Sequence, residues 1–376
     1  MVLSEYNELW KVVHSMKKAF EARLLPLSND SIDYNYFLDE LIDASAKLEV
    51  YKEKVADSKL SSKWFLPTLQ QIEALESSKL EGTQATLDGV LMNQALPTDE
   101  DVNINEVVNY SNATKKGLYI LNRERFSNEF FQEIHSVLME GNVRKPRQIG
   151  SYRTKQNYIG KNDKTHEITF IPPEYKKVPE LMDNLISYIN NPTDSFKPLV
   201  RTAIIHAQFE TIHPFMDGNG RVGRMLIPFY LYYAKQIELP CFFISEALEH
   251  DKLRYYTLLN NIRENDDWNE WIKFFLKTVV SQCDRYINIV SAINRLHDQH
   301  LAIVSDFSKA ANVIPVMNML YEYPITTAKQ IVEKTGVPLT SVNRLLNMMV
   351  EEKILITDGK QRNRKYIYYG LLEIIR

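Results

Sequence analysis

The 376 residues include only two cysteines, Cys241 and Cys283, no uncharged apolar run approaching 20 residues, and a formal net charge of just −3 at neutral pH. Each shortage excludes something. The cysteines sit in apolar-aromatic surroundings (LPCFFI, VVSQCDRY) without metal spacing, so they read as reduced core thiols rather than a disulfide framework or a zinc site. Without a long apolar run, no helix is expected to span a membrane. The near-neutral balance gives no global attraction to nucleic acid or anionic lipid, so any such affinity must come from a local patch. The first residues lack the basic start, apolar stretch and small-residue cleavage site of a signal peptide, and the expectation is a cytoplasmic protein. What remains is ordinary globular composition, 44% hydrophobic and 25% charged, at a length that exceeds one core and predicts two or three domains.

Helical spacing dominates the chain. Phe37, Leu41, Ala44 and Leu48 mark one face of an amphipathic helix, and FLPTLQQIEALESSKLEG continues the pattern to a stop at Gly82. Met92 to Asn105 is polar, holds Pro97 and reads as a loop. Helical pattern resumes from Asn109 to Leu138. It is then broken by a predicted β-hairpin, in which Tyr158–Ile159 and Ile168–Ile171 flank a polar turn ended by Pro172 and Pro173. Helices are expected at Val178–Tyr188, at Pro198–Thr211, from about Asn219, and from about Asp251 to Leu296. The last residues change grammar. They read as helix Ala328–Lys334, a Thr-Gly-Val turn, helix Leu339–Glu352, then strands Ile354–Thr357 and Tyr366–Tyr368 around a basic tip, a helix-turn-helix with a β-wing. The predicted division is 1–105, an N-terminal helical region; 106–280, a mainly helical core; 281–312, a connecting helix; and 313–376, the winged module.

The densest chemistry lies in HPFMDGNGRVGR, His213 to Arg224, which holds three of the chain's 12 glycines. Gly218 and Gly220 allow close backbone approach to a ligand. A helix beginning near Asn219 aims its free N–H groups and positive dipole end back into the loop, an anion site. Arg221 and Arg224, three apart, share a helix face and offer two cationic forks for phosphate oxygens. Asp217 is a hard oxygen ligand where Mg²⁺ bridging phosphates would sit, and His213 is able to accept a proton near pH 7. These residues predict phosphoryl-type transfer from a nucleotide polyphosphate. A simple capped turn uses none of the charged residues. A metal hydrolase built on His206, Glu210, His213 and Asp217 lacks the zincin spacing, and His206 reads as a buried, hydrogen-bonded core histidine.

The same stretch resembles the H-x-F-x-[DE]-G-N-G-R-x-x-R signature of Fic (filamentation induced by cAMP) domains at every fixed position, with IHAQFETIHPF as a similar lead-in. The resemblance covers about Ser31 to Leu276. It implies a mainly α Fic-fold core with a hairpin flap, and protein AMPylation, transfer of AMP from ATP to a Ser, Thr or Tyr hydroxyl of a target protein. His213 would take the hydroxyl proton and Asp217 would hold Mg²⁺. Gly218, Asn219, Gly220, Arg221, Val222, Gly223 and Arg224 would bind ATP, with Arg224 on the γ-phosphate. Hairpin 151–171 would hold the target by main-chain pairing, and Tyr256, in preference to Tyr255, would line the nucleoside pocket. Doc-type relatives, which phosphorylate, depart from Gly-Asn-Gly here, and this sequence does not.

Upstream, SSKLEG (Ser77, Glu81, Gly82) is similar to the family's inhibitory motif, which implies that Glu81 pairs with Arg224 in place of the γ-phosphate. In some members that glutamate supports removal of AMP, so a de-AMPylase, or transfer of another nucleotide or phosphate group, is the alternative on this scaffold. A third class is a DNA-binding regulator whose core senses nucleotide. From Thr326 to Arg376 nine Lys or Arg face five acids, and Lys360, Arg362, Arg364 and Lys365 on the wing, with Asn343, Arg344 and Asn347 on the second helix, would suit DNA. Self-modification and a homodimer complete the expected partners.

Overall fold

The computed structural model describes residues 18–58, 60, 62–97, 101–141, 148–161, 168–307 and 312–376. The predicted hairpin turn beyond Lys161, and the first 17 residues, on which the secretion reading rests, lie outside them. Five helices lead: α1 (Leu38–Ala56), α2 (Ser62–Leu80), α3 (Leu87–Ala95), α4 (Val102–Leu121) and α5 (Asn128–Leu138). The hairpin follows, β1 (Ile159–Lys161) antiparallel to β2 (Ile168–Phe170), with Ile159 opposite Phe170. Then come α6 (Val178–Asn190), α7 (Pro198–Ile212), α8 (Asn219–Tyr233), α9 (Ser245–His250), α10 (Lys252–Asn265) and α11 (Trp268–Phe307). The chain closes with α12 (Val313–Glu322), β3 (Ile325–Thr327), α13 (Ala328–Thr335), α14 (Leu339–Glu351), β4 (Ile356–Thr357), β5 (Lys365–Ile367) and α15 (Tyr369–Ile375). The three C-terminal strands pair antiparallel in the order β3-β5-β4.

The amphipathic pattern places α1 as expected, with Leu41, Ala44, Leu48 and Tyr51 buried. The region read as a loop from Met92 to Asn105 is narrower. Thr86 caps α3 through the Gly89 N–H at 3.1 Å and carries the helix to Ala95, and Asp101 caps α4 through the Asn103 N–H at 2.9 Å. Asn93 and Gln94 before Pro97, and Asp101, Asn103 and Asn105 after it, made the last turn of α3 and the first turn of α4 look like continuous loop. The connecting helix expected from residue 281 begins at Trp268 and runs without a break through residue 280. β3 and α15 had no counterpart in the sequence reading, being too short for periodicity to show.

At the centre lies α7, buried on every side from Leu199 to Ile212. Such burial puts it in the middle of the bundle, where Arg201 pairs with Asp194 at 2.5 Å and Gln208 donates to the Arg23 carbonyl at 2.7 Å. Trp271 of α11 donates its indole N–H to the Ala203 carbonyl at 2.9 Å, and Phe131 of α5 stacks on Phe209 at 5.6 Å. α8 packs beside α7, and Pro228 lies within it without ending it. α4 comes close to α8 at Gly117, where an added Cβ would stand 2.3 Å from the Phe229 ring. Gly117→Ala is expected to destabilise the protein by about 1–3 kcal/mol through overpacking, read as a lower urea midpoint at unchanged slope.

Candidate active site

The sequence ends α7 abruptly. His213 takes up a left-handed conformation (φ 50°, ψ 59°) immediately before Pro214, a conformation that costs a non-glycine residue energy and persists only where neighbours hold it. Two side chains do so. Arg153 donates from Nε to the His213 carbonyl at 3.0 Å and from Nη2 to the Pro173 carbonyl, and Asn157 donates to the Phe215 carbonyl at 2.9 Å. The backbone N–H of Arg153 adds a bond to the Pro214 carbonyl at 2.8 Å. Arg153 and Asn157, at the foot of the hairpin, thus fix the bend that presents His213.

Asn219 closes the following loop, its Oδ1 accepting from the Phe215 N–H at 2.7 Å and its Nδ2 donating to the Phe215 carbonyl at 2.8 Å. Its side chain therefore shapes the loop instead of reaching out to a ligand. Gly218 stands at the N-cap of α8 with φ 77°, and Asp217 accepts from the Gly218 N–H at 2.6 Å. His135 of α5 supports the loop from behind. Its ring lies flat on Phe215 at 3.8 Å, Nδ1 accepts from the Gly150 N–H at 3.0 Å, and Nε2 therefore carries the proton donated to the Asp217 carbonyl at 3.1 Å.

The helix face formed by Gly220, Arg221 and Arg224 looks onto the end of α2. Arg224, 1% exposed, donates from Nη2 to Glu81 Oε1 at 2.7 Å and to the Ser77 carbonyl at 2.8 Å, and from Nε to Ser77 Oγ at 2.8 Å. Glu81 also fills the space above Gly220, where a Cβ would fall 2.2 Å from its Oε1. Arg221 is buried, with Nη2 3.6 Å from Met139 Sδ and 3.8 Å from Asp217 Oδ1, while Nε and Nη1 have no partner among the described residues. Val222 and Gly223, also expected in the ATP site, follow on the same helix. Val222 is in the core, and Gly223 leaves room for Glu210, whose Oε1 would stand 2.2 Å from an added Cβ. Both ring nitrogens of His206 are engaged, with the Gly223 carbonyl at 2.9 Å and the Tyr255 hydroxyl at 3.0 Å. That is the core role expected of it, and it leaves no nitrogen for a metal. Tyr255 is core as well, whereas Tyr256 is half-buried near Glu81 and Arg224.

Electrostatically the cradle is positive with one resident anion. Burial raises the Glu81 pKa, but the charge and hydrogen bond of Arg224 outweigh it and hold the carboxyl below its ordinary range. Burial lowers the Arg224 pKa, and Glu81, with smaller contributions from Tyr255, Tyr256 and Glu210, more than offsets this and raises it. Burial, then the nearby Arg263 cation, pushes His213 down to about 3, against smaller upward pulls from its bond to the Glu210 carbonyl and from Glu81. Its Nδ1 lies 3.4 Å from that carbonyl, which leaves Nε2 as the free nitrogen. Glu73 and Glu210, both buried, are raised to about 7. Neither Arg153, Asn157, His135 nor Glu73 stood out in the sequence, because each acts mainly on backbone groups or hydroxyls distant in the chain, contacts that leave no spacing pattern.

Residues 125–231 match the Fic/DOC family and residues 38–119 match the Fic/DOC family N-terminal region. The chain carries a Fic/DOC domain. It is 27% identical over 174 residues to the protein adenylyltransferase fic-1 of Caenorhabditis briggsae, covering 45% of this chain and 31% of that protein. A probable protein adenylyltransferase of Aquifex aeolicus is 28% identical over 165 residues, covering 43% of this chain and 48% of that protein. The matches thus span about a third to a half of these relatives. A Fic family protein of Desulfovibrio desulfuricans shares the fold over 93% of this chain and 98% of its own, at TM-score 0.57 and 19% identity. A Fic domain protein of Bacteroides thetaiotaomicron covers 66% of this chain at TM-score 0.54 and 18% identity. No helix among the described residues is long and apolar enough to cross a membrane.

Burial holds His135 near 4 and His206 near 3, alongside His213. NMR titration of His135, His206 and His213 is expected to show all three neutral from pH 8 down to about 5. An ordinary midpoint near 6.5 at His213 would contradict the site as described.

Proposed function

We propose that the protein transfers AMP from ATP to a hydroxyl of a protein target and that Glu81 restrains the reaction. The observation that carries this reading is the carboxylate itself. An anion already occupies the junction of Arg224 and Gly220, at the N-terminal end of α8. That is a place built for anionic oxygen. The unpartnered Nε and Nη1 of buried Arg221 fit the same ligand class, since buried guanidinium donors without acceptors are costly and phosphate oxygens would satisfy them.

In this reading Arg221, Gly218, Gly220 and the backbone of Asn219 hold the α- and β-phosphates, and Arg224 aligns the γ-phosphate for in-line displacement. Half-buried His213, its Nδ1 turned to the Glu210 carbonyl, accepts the target's proton at Nε2 as the hydroxyl oxygen bonds to the α-phosphorus and pyrophosphate leaves. Asp217, its side chain 52% exposed at the mouth of the cradle, is the residue to hold Mg²⁺. That ion, when bound, neutralises phosphate charge. Among the described residues no cluster of three or more His, Cys, Asp or Glu forms a protein cage for a metal, and a single carboxylate suits a cation shared with substrate phosphates. Tyr256 lines the nucleoside side, and the exposed hairpin offers strand edges to an extended target segment. Until Glu81 leaves Arg224, ATP has no γ-phosphate site, and transfer stays slow.

Residues 313–376 form, in this reading, a winged helix-turn-helix, with α13 and α14 joined through Gly336 (φ 71°) and the β4–β5 hairpin as wing. Its ties run inward. Thr68 donates to the Tyr321 carbonyl at 2.6 Å, Gln330 to the Gln94 carbonyl at 2.9 Å, and Arg376 pairs with Asp88 at 2.6 Å. Asn343 and Asn347 line a groove of about 760 Å³ whose other wall is Gln94–Pro97. These contacts favour a module that braces the N-terminal helices over one that reads DNA.

Incubation with Mg²⁺ and ATP labelled at the α- or the γ-phosphate tests the assignment. Wild type is expected to show slow α-label incorporation, Glu81→Gly at least about tenfold more, given the loss of a charge-assisted contact, and His213→Ala none. Label from the γ-position would point instead to kinase chemistry.

A further inference from the structure

The end of α2 can be accounted for carbonyl by carbonyl. A helix leaves its last four C=O groups without intrahelical partners. Here Thr83 N–H donates to the Ser78 carbonyl at 3.1 Å and Gly82 N–H to the Lys79 carbonyl at 2.9 Å, with Gly82 left-handed at φ 91°. This is the Schellman arrangement, with Glu81 at the C-cap. It leaves two carbonyls, and both go to cations from other helices. Ser77 accepts from Arg224, and Leu80, the residue immediately before Glu81, accepts from Lys252 Nζ at 2.8 Å. Lys252 is the first residue of α10, where that helix's own dipole disfavours a positive charge. Its ammonium serves the negative end of α2 instead.

We propose that Lys252 is a positioning residue of the gate. By holding the Leu80 carbonyl it fixes the last turn of α2 in the orientation that presents Glu81 to Arg224. The inference rests on the inhibitory reading of Glu81 and adds a second cation to it. Lys252 sits on the rim, half-buried, so replacing it leaves the core intact. Without the ammonium, the Leu80 carbonyl turns to water, the C-cap frays, and Glu81 yields Arg224 more readily.

Hydrogen exchange and label transfer on the full-length protein test this together. Lys252→Met is expected to speed exchange at the amides of Glu81, Gly82 and Thr83 by about tenfold, the scale of one lost hydrogen bond to a charged group. It should raise α-label incorporation severalfold while Glu81 is present and change nothing in a Glu81→Gly background. Lys252→Arg, which keeps a cationic donor, should stay near wild type in both measurements. Unchanged exchange overturns the proposal. So does faster exchange with unchanged transfer, which would make Lys252 an ordinary helix cap, and so does equal slowing in both backgrounds, which would make it a nucleotide contact. If Glu81→Gly itself takes up no label, the adenylyltransferase reading has failed, and the exchange rates still decide for or against Lys252.

Discussion

Arg224 is the constraint on which the site depends. A guanidinium cannot shed its charge, and one buried to 1% exposure cannot be left unpaired without a penalty of several kcal/mol. It must therefore always have an anion. Glu81 supplies one from 143 residues upstream, while Ser77 satisfies two further donors through its hydroxyl and its carbonyl. A γ-phosphate would supply another. Because the two anions would need the same fork, the closed and loaded states exclude each other without any moving domain. Much of the fold serves to bring the end of α2 to the start of α8. The close approach at Gly117 sets α4 against α8, and Glu73, on α2, bonds Tyr110 of α4 at 2.8 Å and Ser245 of α9 at 2.6 Å.

The charges around this pair are arranged so that Glu81 stands out. Burial raises Glu73 and Glu210 to about 7, which weakens both as competing anions near neutrality, and burial keeps His135, His206 and His213 uncharged. Arg221 and Arg224 are then the dominant local charges. A positive cradle at a helix N-terminus binds whatever anion reaches it. In the proposed function the tethered carboxylate, always at hand, would compete at a high effective concentration with a nucleotide arriving from solution.

What the sequence made legible was the part written in consecutive residues. His213 to Arg224 could be read because an anion cradle, a base and a hard carboxylate must be neighbours along a loop and the helix that follows it. At Gly82 only the helix end itself was legible; Ser77 and Glu81 stood out through the resemblance of SSKLEG to the family's inhibitory motif. The hairpin strands, and the helices α13 and α14 on either side of Gly336, showed through periodicity and turn residues. Arg153, Asn157 and His135 stayed hidden, since their partners are carbonyls and amides whose positions only the fold decides. Val222 and Gly223 stand in the middle of the same stretch, with the Val222 side chain in the core and Gly223 packed against Glu210. Between Tyr255 and Tyr256, aromatic in sequence alike, the hydrogen bond of Tyr255 to His206 assigns one to the core.

Placing the gate at a helix terminus has a physical consequence that a glutamate on a loose loop would lack. Its carboxylate is aimed by a backbone whose last carbonyls are each satisfied, two internally and two by Arg224 and Lys252. Drawing Arg224 toward an incoming phosphate would therefore strip a donor from the Ser77 hydroxyl and carbonyl as well as from Glu81. The barrier to opening is accordingly larger than one ion pair, while the ground state needs no strain to maintain it. The same Arg224 both caps the helix and binds its side chain, so loosening either contact loosens the other. Coupling of that kind lets a change at the end of α2, distant from His213 in sequence, act on the group that would orient the reacting phosphate.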